Sequence, residues 1–236
     1  MVQSGEVQRW HCWSCKTLIG RSESRCSACD VLQPPDPSLS HFARFGLPQK
    51  FGLDQKKLRQ AYRLSQRDMH PDRFVSATDR ERRHALEHST TMNDGYRVLK
   101  EPMSRAGYML TLLGLDVSDD RAIQLSSNFL ITILEVRESL EELTGPDAHV
   151  ERRRIQQSIV LEYEEGLARL GSRLDSASDI AIETLKSLGQ LYAQMKYLRR
   201  VLEEIERLEA EGDTPESGNL VRLDPLRPET FERKGT

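Results

Sequence analysis

Apolar residues recur at helical spacing over most of this chain, and the places where the pattern breaks set its organisation. Between residues 54 and 68, Leu58, Ala61, Tyr62 and Ser65 share one face, at the three- and four-residue steps that bury a stripe of an α-helix. Asp54 is positioned to cap that helix, with Leu53 and Leu58 as a hydrophobic staple around its first turn. Pro71 stops it, since proline has no amide to donate and biases the residue before it away from helix. A second helix restarts at the capping box Thr78-x-x-Glu81, with Asp79 in its first turn and an inward stripe of Ala85, Ser89, Met92, Tyr96 and Leu99. Ala61, Ser65, Ala85 and Ser89 are small enough for two antiparallel helices to pack closely. The stretch MHPDR, residues 69–73, therefore sits at the tip of a helical hairpin. Upstream, Phe42, Phe45, Leu47 and Phe51 are apolar anchors around Gly46 and Pro48.

The second half continues the pattern. Residues 103–113 form a short helix closed by Gly114, and a longer one follows, capped by Ser126 or Ser127 and closed by Gly145-Pro146. Two further helical stretches span about 147–174 and 179–210. Their stripes are Val160, Tyr163, Leu167, Leu170 and Leu174, then Leu188, Leu191, Met195, Leu198, Leu202 and Ile205. Three amphipathic helices with short connections imply an antiparallel three-helix bundle, so the fold class is all-α. The first bundle helix carries an anomaly. Phe129, Ile133, Val136, Leu140 and Leu143 form its core stripe, yet at about 100° per residue Leu130, Ile131 and Leu134 fall well off that stripe. Glu135 and Glu138 border them. A second apolar patch beside acids points to a partner surface, with packing against the preceding helical domain as the bland alternative. Tyr197 and Val201 of the last helix also fall off the main stripe and extend the same surface. The residues from Gly212 onward, with scattered Pro and Gly, are expected to be disordered.

Composition and charge narrow the classes of function. The net charge of −3 over 236 residues gives the whole chain no electrostatic case for nucleic acid or acidic membranes. One helix nevertheless presents a basic face, where Lys56, Lys57, Arg59, Arg63 and Arg67 stand against the single early acid Asp54. No apolar run is long enough to span a bilayer, and the N-terminal stretch has neither a secretory core nor an Arg-rich presequence. A cytoplasmic protein is expected, or an organelle matrix one if a presequence has been removed.

All four cysteines lie near one end: Cys12, Cys15, Cys26 and Cys29, as CWSC and CSAC. Two C-x2-C turns can converge four thiolates on one tetrahedral ion, and such a set satisfies Zn(II) with no open position for chemistry. The segment is too short to own a core, so metal binding would be its folding energy. Structural zinc is the expected cofactor; two disulfides, a redox pair or iron are the competing readings. Trp10 and Trp13 are expected to pack over the metal knuckle, and His11 to be a bystander. Three prolines within residues 34–37 mark a stiff spacer after it.

His70-Pro71-Asp72 could orient an imidazole as a general base, but no nucleophile or third group lies near it in sequence. His84 and His88, an i, i+4 pair, read as a solvated face rather than a metal site. At this point the residues resemble a known family. Phe45-x-Leu47-Pro48, the basic helix, His70-Pro71-Asp72 in the loop, and Asn93-x-x-Tyr96-x-x-Leu99 followed by Pro102 and Arg105 look like a J-domain. Phe129-Leu130-Ile131-x-x-Leu134-Glu135-x-Arg137-Glu138 is similar to the scaffold-binding helix of HscB-type co-chaperones of iron–sulfur cluster assembly.

That resemblance implies a non-enzymatic co-chaperone with an L-shaped arrangement: a tetracysteine knuckle at 1–33, a Pro-rich linker at 34–40, a J-domain at 41–114, a scaffold-binding bundle at 121–210 and a tail at 211–236. It assigns chaperone docking to His70, Pro71, Asp72, Lys56, Lys57, Arg59, Arg63 and Arg67. It assigns scaffold binding to Leu130, Ile131, Leu134, Glu135, Arg137, Glu138 and Tyr197. The implied partners are an HscA- or DnaK-type ATPase and an IscU-type iron–sulfur scaffold, with no nucleic acid and no membrane. The rival readings are a J-domain protein for other clients and a zinc-ribbon nucleic-acid binder that uses the basic helix.

Overall fold

The computed structural model describes residues 9–20, 23–117, 123–145, 147–177 and 181–210. The tail expected to be disordered lies outside them. The chain divides into two compact units, the first ending at Arg105 and the second starting at Ala106. No described helix is long and apolar enough to cross a membrane.

The first unit opens with a two-stranded antiparallel ribbon, β1 (Arg9–His11) and β2 (Leu18–Gly20), in which Trp10 pairs with Ile19. Three helices follow: α1 (His41–Arg44), α2 (Gln55–Asp68) and α3 (Asp79–Lys100), with a 3-10 turn at Pro71–Phe74 between the last two. Each start matches a local cap. Asp54 accepts from the Lys56 and Lys57 amides at 2.9 and 3.1 Å, and Thr78 and Glu81 satisfy each other's amides at the start of α3. Helices α2 and α3 run antiparallel. Tyr62 stacks on Tyr96 with centroids 4.1 Å apart. The Tyr62 hydroxyl and the Gln66 amide both donate to Asn93 Oδ1, at 2.9 and 2.7 Å. On the other side of α3, a Cβ at Gly95 would come within 3.0–3.3 Å of the His41 and Phe45 rings, so glycine there lets α1 lie close. Buried Arg105 donates to the Leu99 carbonyl at 2.6 Å with its guanidinium over Phe51, tying off the end of α3.

The Pro-rich stretch is extended, as proline requires, but it does not stand free. Leu32, Gln33 and Asp36 are buried, and Asp36 accepts from both the amide and the hydroxyl of Ser38. Leu32 enters an apolar cluster with Phe74 and Ala85, because three residues of spacer chemistry cannot outweigh the burial of a leucine next to them.

The second unit takes most of α4 (Pro102–Leu112) and then α5 (Ser127–Glu142), α6 (Ala148–Asp175) and α7 (Ile182–Ala210). Ser126 caps α5 through the Phe129 amide. Helix α5 ends at Glu142, three residues before Gly145. Helices α6 and α7 are antiparallel: Gly166 lies under Met195, and Arg173 donates to the Ser187 hydroxyl at 2.9 Å. Helix α5 runs parallel to α7, with Phe129 edge-on to Tyr197 and Arg137 paired with Glu204. The core between them includes Ile133, Leu140, Ile159, Leu170, Leu188, Met195, Leu198 and Ile205.

One expectation is corrected here. Val201, placed by periodicity off the α7 stripe, is fully buried. Helix α7 is covered by both α5 and α6, so its buried arc is wider than a single stripe.

A Cβ added at Gly166 would collide with the Met195 sulfur in a close-packed interior. Gly166→Ala should therefore destabilise the protein by about 1–3 kcal/mol. Met195→Ala should cost less in that variant than in the wild type, a coupling readable in a urea-unfolding double-mutant cycle.

Candidate functional site

Three groups of residues carry chemistry, and the first is the cysteine cluster. The Sγ atoms of Cys12, Cys15, Cys26 and Cys29 all lie within 4.8 Å of one another. Cys12–Cys29 and Cys15–Cys26 are 3.7 and 3.6 Å apart. Those spacings are far beyond a disulfide of about 2.05 Å, and the four thiols are free. They match the edge of a tetrahedron with metal–sulfur bonds of about 2.3 Å, which is about 3.8 Å.

The two half-sites repeat each other. Lys16 donates to the Cys12 carbonyl and Asp30 to that of Cys26, while Cys12 and Cys26 donate to the Thr17 and Val31 carbonyls. The Ser14 and Ala28 amides each point at the sulfur two residues earlier, both at 3.4 Å. Lys16 and Asp30, directly after the second cysteine of each pair, hold φ of +62° and +55°. Neither is glycine, so composition did not flag them; aspartate tolerates that region and lysine does so only under constraint. Gln33, which sequence reasoning also missed, is buried with every end of its amide engaged. Its Nε2 donates to Cys12 Sγ at 3.3 Å and to the Val31 carbonyl at 2.8 Å, and its Oε1 accepts from the Trp13 amide.

The electrostatics favour a cation. The Thr17 hydroxyl, 3.2 Å from Cys15 Sγ, holds that thiol down to about 6. The Val31 amide favours the Cys29 thiolate, but burial and the neighbouring sulfurs outweigh it and push that thiol up to about 12. Four thiolates so close resist joint ionisation until a divalent ion offsets their charge. The four residues can thus hold one metal ion. With all four positions filled by sulfur, such an ion supplies folding energy rather than chemistry.

Trp10 packs against this cluster as expected; Trp13 does not. Its indole donates to the Leu32 carbonyl at 2.8 Å, meets the His84 ring edge-on, and lies under the Arg80 guanidinium at 4.3 Å. The solvated face expected for His84 and His88 is therefore corrected. His84 is buried, and His88 Nε2 approaches the Gln33 carbonyl at 2.9 Å, with burial lowering its pKa. The histidines are the seat of the knuckle on α3. A short polar–apolar period could not show this, because the partner segment lies 55 residues away.

The second group is the hairpin tip. His70 begins the 3-10 turn, and Pro71 fills its first position, where a missing amide costs nothing. His70 Nδ1 lies 3.3 Å from the Asp72 amide and 3.4 Å from the Asp72 carboxylate. The ring nitrogen accepts from the Asp72 amide. Both side chains are exposed. Arg73 closes the turn by donating its amide to the His70 carbonyl at 3.0 Å. Lys56, Lys57, Arg59, Arg63 and Arg67 are all exposed along α2. Lys56, Arg59, Arg63 and Arg67 line a shallow concavity with Leu64. Arg67 is partly offset by Asp68, 3.5 Å away.

The third group is on α5. Ile131 and Leu134 are 52% and 57% exposed, with Glu135 and Glu138 exposed beside them and Leu130 half-buried at the edge. Arg137 and Tyr197 are only partly exposed and are engaged with α7 and α5. Arg137 sits one turn beyond buried Ile133, pairs with Glu204 at 3.3 Å and covers the Tyr197 ring, which itself abuts Phe129. Both are seam residues between α5 and α7. Truncating the two kinds of residue should separate them: Arg137→Ala, which strands a half-buried Glu204, should cost about 1–3 kcal/mol. Leu134→Ala should stay within about 0.5 kcal/mol in the same unfolding assay.

Comparison with known proteins sets these groups in context. Residues 125–206 match the family described as the HSCB C-terminal oligomerisation domain. Proteins described as co-chaperone protein HscB homologues are similar over most of the chain. That of Burkholderia thailandensis is 36% identical over 174 residues, covering 72% of this chain and 96% of its own. That of Burkholderia vietnamiensis is 34% identical over 180 residues, with the same coverage. Among solved structures, human co-chaperone protein HscB superposes with a TM-score of 0.74 at 26% identity, covering 86% of this chain and 100% of that one. The chaperone HscB of Vibrio cholerae does so with a TM-score of 0.62 at 28% identity, covering 73% and 99%. Jac1 of Saccharomyces cerevisiae, at 17% identity and a TM-score of 0.52, shares the fold.

Proposed function

Because the chain belongs to the HscB co-chaperone family, we propose that it binds an IscU-type iron–sulfur scaffold and delivers it to an HscA- or DnaK-type chaperone, whose ATP hydrolysis it stimulates. In this reading residues 41–114 act as a J-domain, residues 121–210 hold the scaffold, and the four cysteines of the first 33 residues bind structural zinc. A reducing cytoplasm suits four free thiols.

The observation that carries the reading is the hairpin tip. His70 and Asp72 project from a short turn anchored by buried Phe74, beside a face of exposed lysines and arginines on an otherwise slightly acidic chain. A rigid, exposed carboxylate is a pre-organised acceptor for a partner arginine, so little ordering entropy is lost on docking. The cationic face of α2 adds steering towards an acidic partner. The chemistry is ATP hydrolysis in the partner's site; here the residues bind and orient. On α5, two exposed aliphatic side chains flanked by two glutamates suit a partner with an apolar groove and a basic rim. Arg137 and Tyr197 support that face from behind.

Asp72→Asn and His70→Gln should leave the circular dichroism unchanged and abolish stimulation of the chaperone ATPase. Leu134→Ala with Ile131→Ala should weaken scaffold binding by about tenfold or more in titration calorimetry, the loss expected of two buried aliphatic contacts. The chaperone's ATPase rate with both scaffold and co-chaperone should exceed the sum of the rates with each alone; simple additivity refutes the targeting role. Salt-sensitive DNA binding through α2 would instead favour a nucleic-acid binder.

Purified under reducing conditions, the protein should carry about one zinc per chain, lost in Cys12→Ser or Cys26→Ser. Metal analysis finding none, or finding iron, refutes the zinc assignment.

A further inference from the structure

The exposed tripeptide at residues 70–72 is bracketed by residues that face inward, and they are seated on the metal knuckle's own exit strand. Met69, before it, and Phe74 and Ala77, after it, pack with Leu32 and Ala85 in one cluster. Leu32 and Phe74 are 0% and 3% exposed. Arg25, which forms a β-bridge with Leu32, lies 5.9 Å above the Phe74 ring. Arg25 and Leu32 flank Cys26 and Cys29, and Gln33 follows Leu32 directly. Gln33 donates to Cys12 Sγ, and its carbonyl meets His88 on α3. A short chain of contacts thus runs from the four sulfurs through Leu32 and Gln33 to both sides of the hairpin tip.

We propose that the metal-bound knuckle positions the His70-Pro71-Asp72 turn, with Leu32 and Gln33 as the positioning residues, so that metal loading sets how readily the turn docks. The reasoning is one of local stability. The 3-10 turn is held by few hydrogen bonds of its own, among them Arg73 to the His70 carbonyl and Ala77 to the Phe74 carbonyl. A turn that short does not hold one geometry in water by itself. Phe74 fixes it by filling a pocket whose far wall is Leu32, and Leu32 is fixed only while the two cysteine half-sites converge. Without the ion nothing ties the two half-sites together, the exit strand is released, and Phe74 loses that wall. The tip then samples several conformations, and its apparent affinity falls by the fraction still in the docking geometry. His70 and Asp72 are exposed, so the effect reaches them through their anchored neighbours.

The link to docking rests on the proposed chaperone partnership, but the structural effect does not, and the test separates them. Amide hydrogen exchange would be followed in the full chain, zinc-loaded and zinc-stripped, and in Leu32→Ala, which keeps all four thiols. The Arg73 and Ala77 amides should exchange about tenfold or more faster in the stripped protein and in zinc-loaded Leu32→Ala, while α2 and α3 amides such as those near Tyr62 and Tyr96 stay protected. Unchanged exchange at 73 and 77 overturns the proposal. So does equal acceleration throughout α2 and α3 in both samples, because the knuckle would then only stabilise the unit as a whole. In the ATPase assay, zinc-loaded Leu32→Ala should raise the co-chaperone concentration for half-maximal stimulation about fivefold or more with the maximum unchanged. A lowered maximum at unchanged half-saturation overturns the positioning role. If wild type stimulates no chaperone while the exchange results hold, the functional reading fails and the coupling stands.

Discussion

The N-terminal unit depends on one backbone constraint: helix α2 cannot continue past residue 70. Proline at 71 removes an amide and disfavours helix at the residue before it. The chain must turn there, and the 3-10 segment lets it reverse within four residues. That reversal brings α3 back antiparallel to α2, so that Tyr62 meets Tyr96 and Gln66 meets Asn93. It also divides the turn's side chains into two sets. His70 and Asp72 face solvent, and Phe74 faces the protein. A longer loop would leave the exposed pair mobile; a continued helix would spread the two residues along a rod.

Much of this was legible locally. The caps at Asp54, Thr78 and Ser126, the helical stripes and the tetracysteine pattern are short-range signals, and each corresponds to an observed element. What periodicity could not supply were contacts between segments distant in sequence. The buried His84 and half-buried His88 look like a solvated pair until the knuckle is placed on them. Gln33 reads as an ordinary linker residue, and only the fold brings its amide to Cys12. The left-handed Lys16 and Asp30 are invisible to rules keyed on glycine.

The bundle shows the same division. A single stripe per helix is a sound rule for a helix with one neighbour, and it places Ile133, Leu140, Leu170 and Leu198 correctly in the core. Helix α7 has neighbours on two sides, so Val201 is buried and Tyr197 is drawn into the seam with Phe129. Arg137 follows from the same geometry. The motif placed it among the scaffold-binding residues, whereas one turn after Ile133 it pairs with Glu204 on α7. The exposed residues that remain, Ile131, Leu134, Glu135 and Glu138, form a narrower face than the motif suggested.

The two proposed docking faces carry opposite charge, and this matters more than the net value of −3. Lys56, Lys57, Arg59, Arg63 and Arg67 present a cationic helix from one unit. The face of α5, in the other unit, presents aliphatic side chains between glutamates. A partner that suits one is repelled by the other, since juxtaposing like charges is unfavourable. A delivery protein needs that asymmetry: it must hold two different proteins at once without either occupying the other's place. In the proposed function, charge assigns each partner to its face, while the shaped turn and the aliphatic pair set how well each fits. Near-neutrality of the whole chain therefore does not exclude two local surfaces of opposite charge.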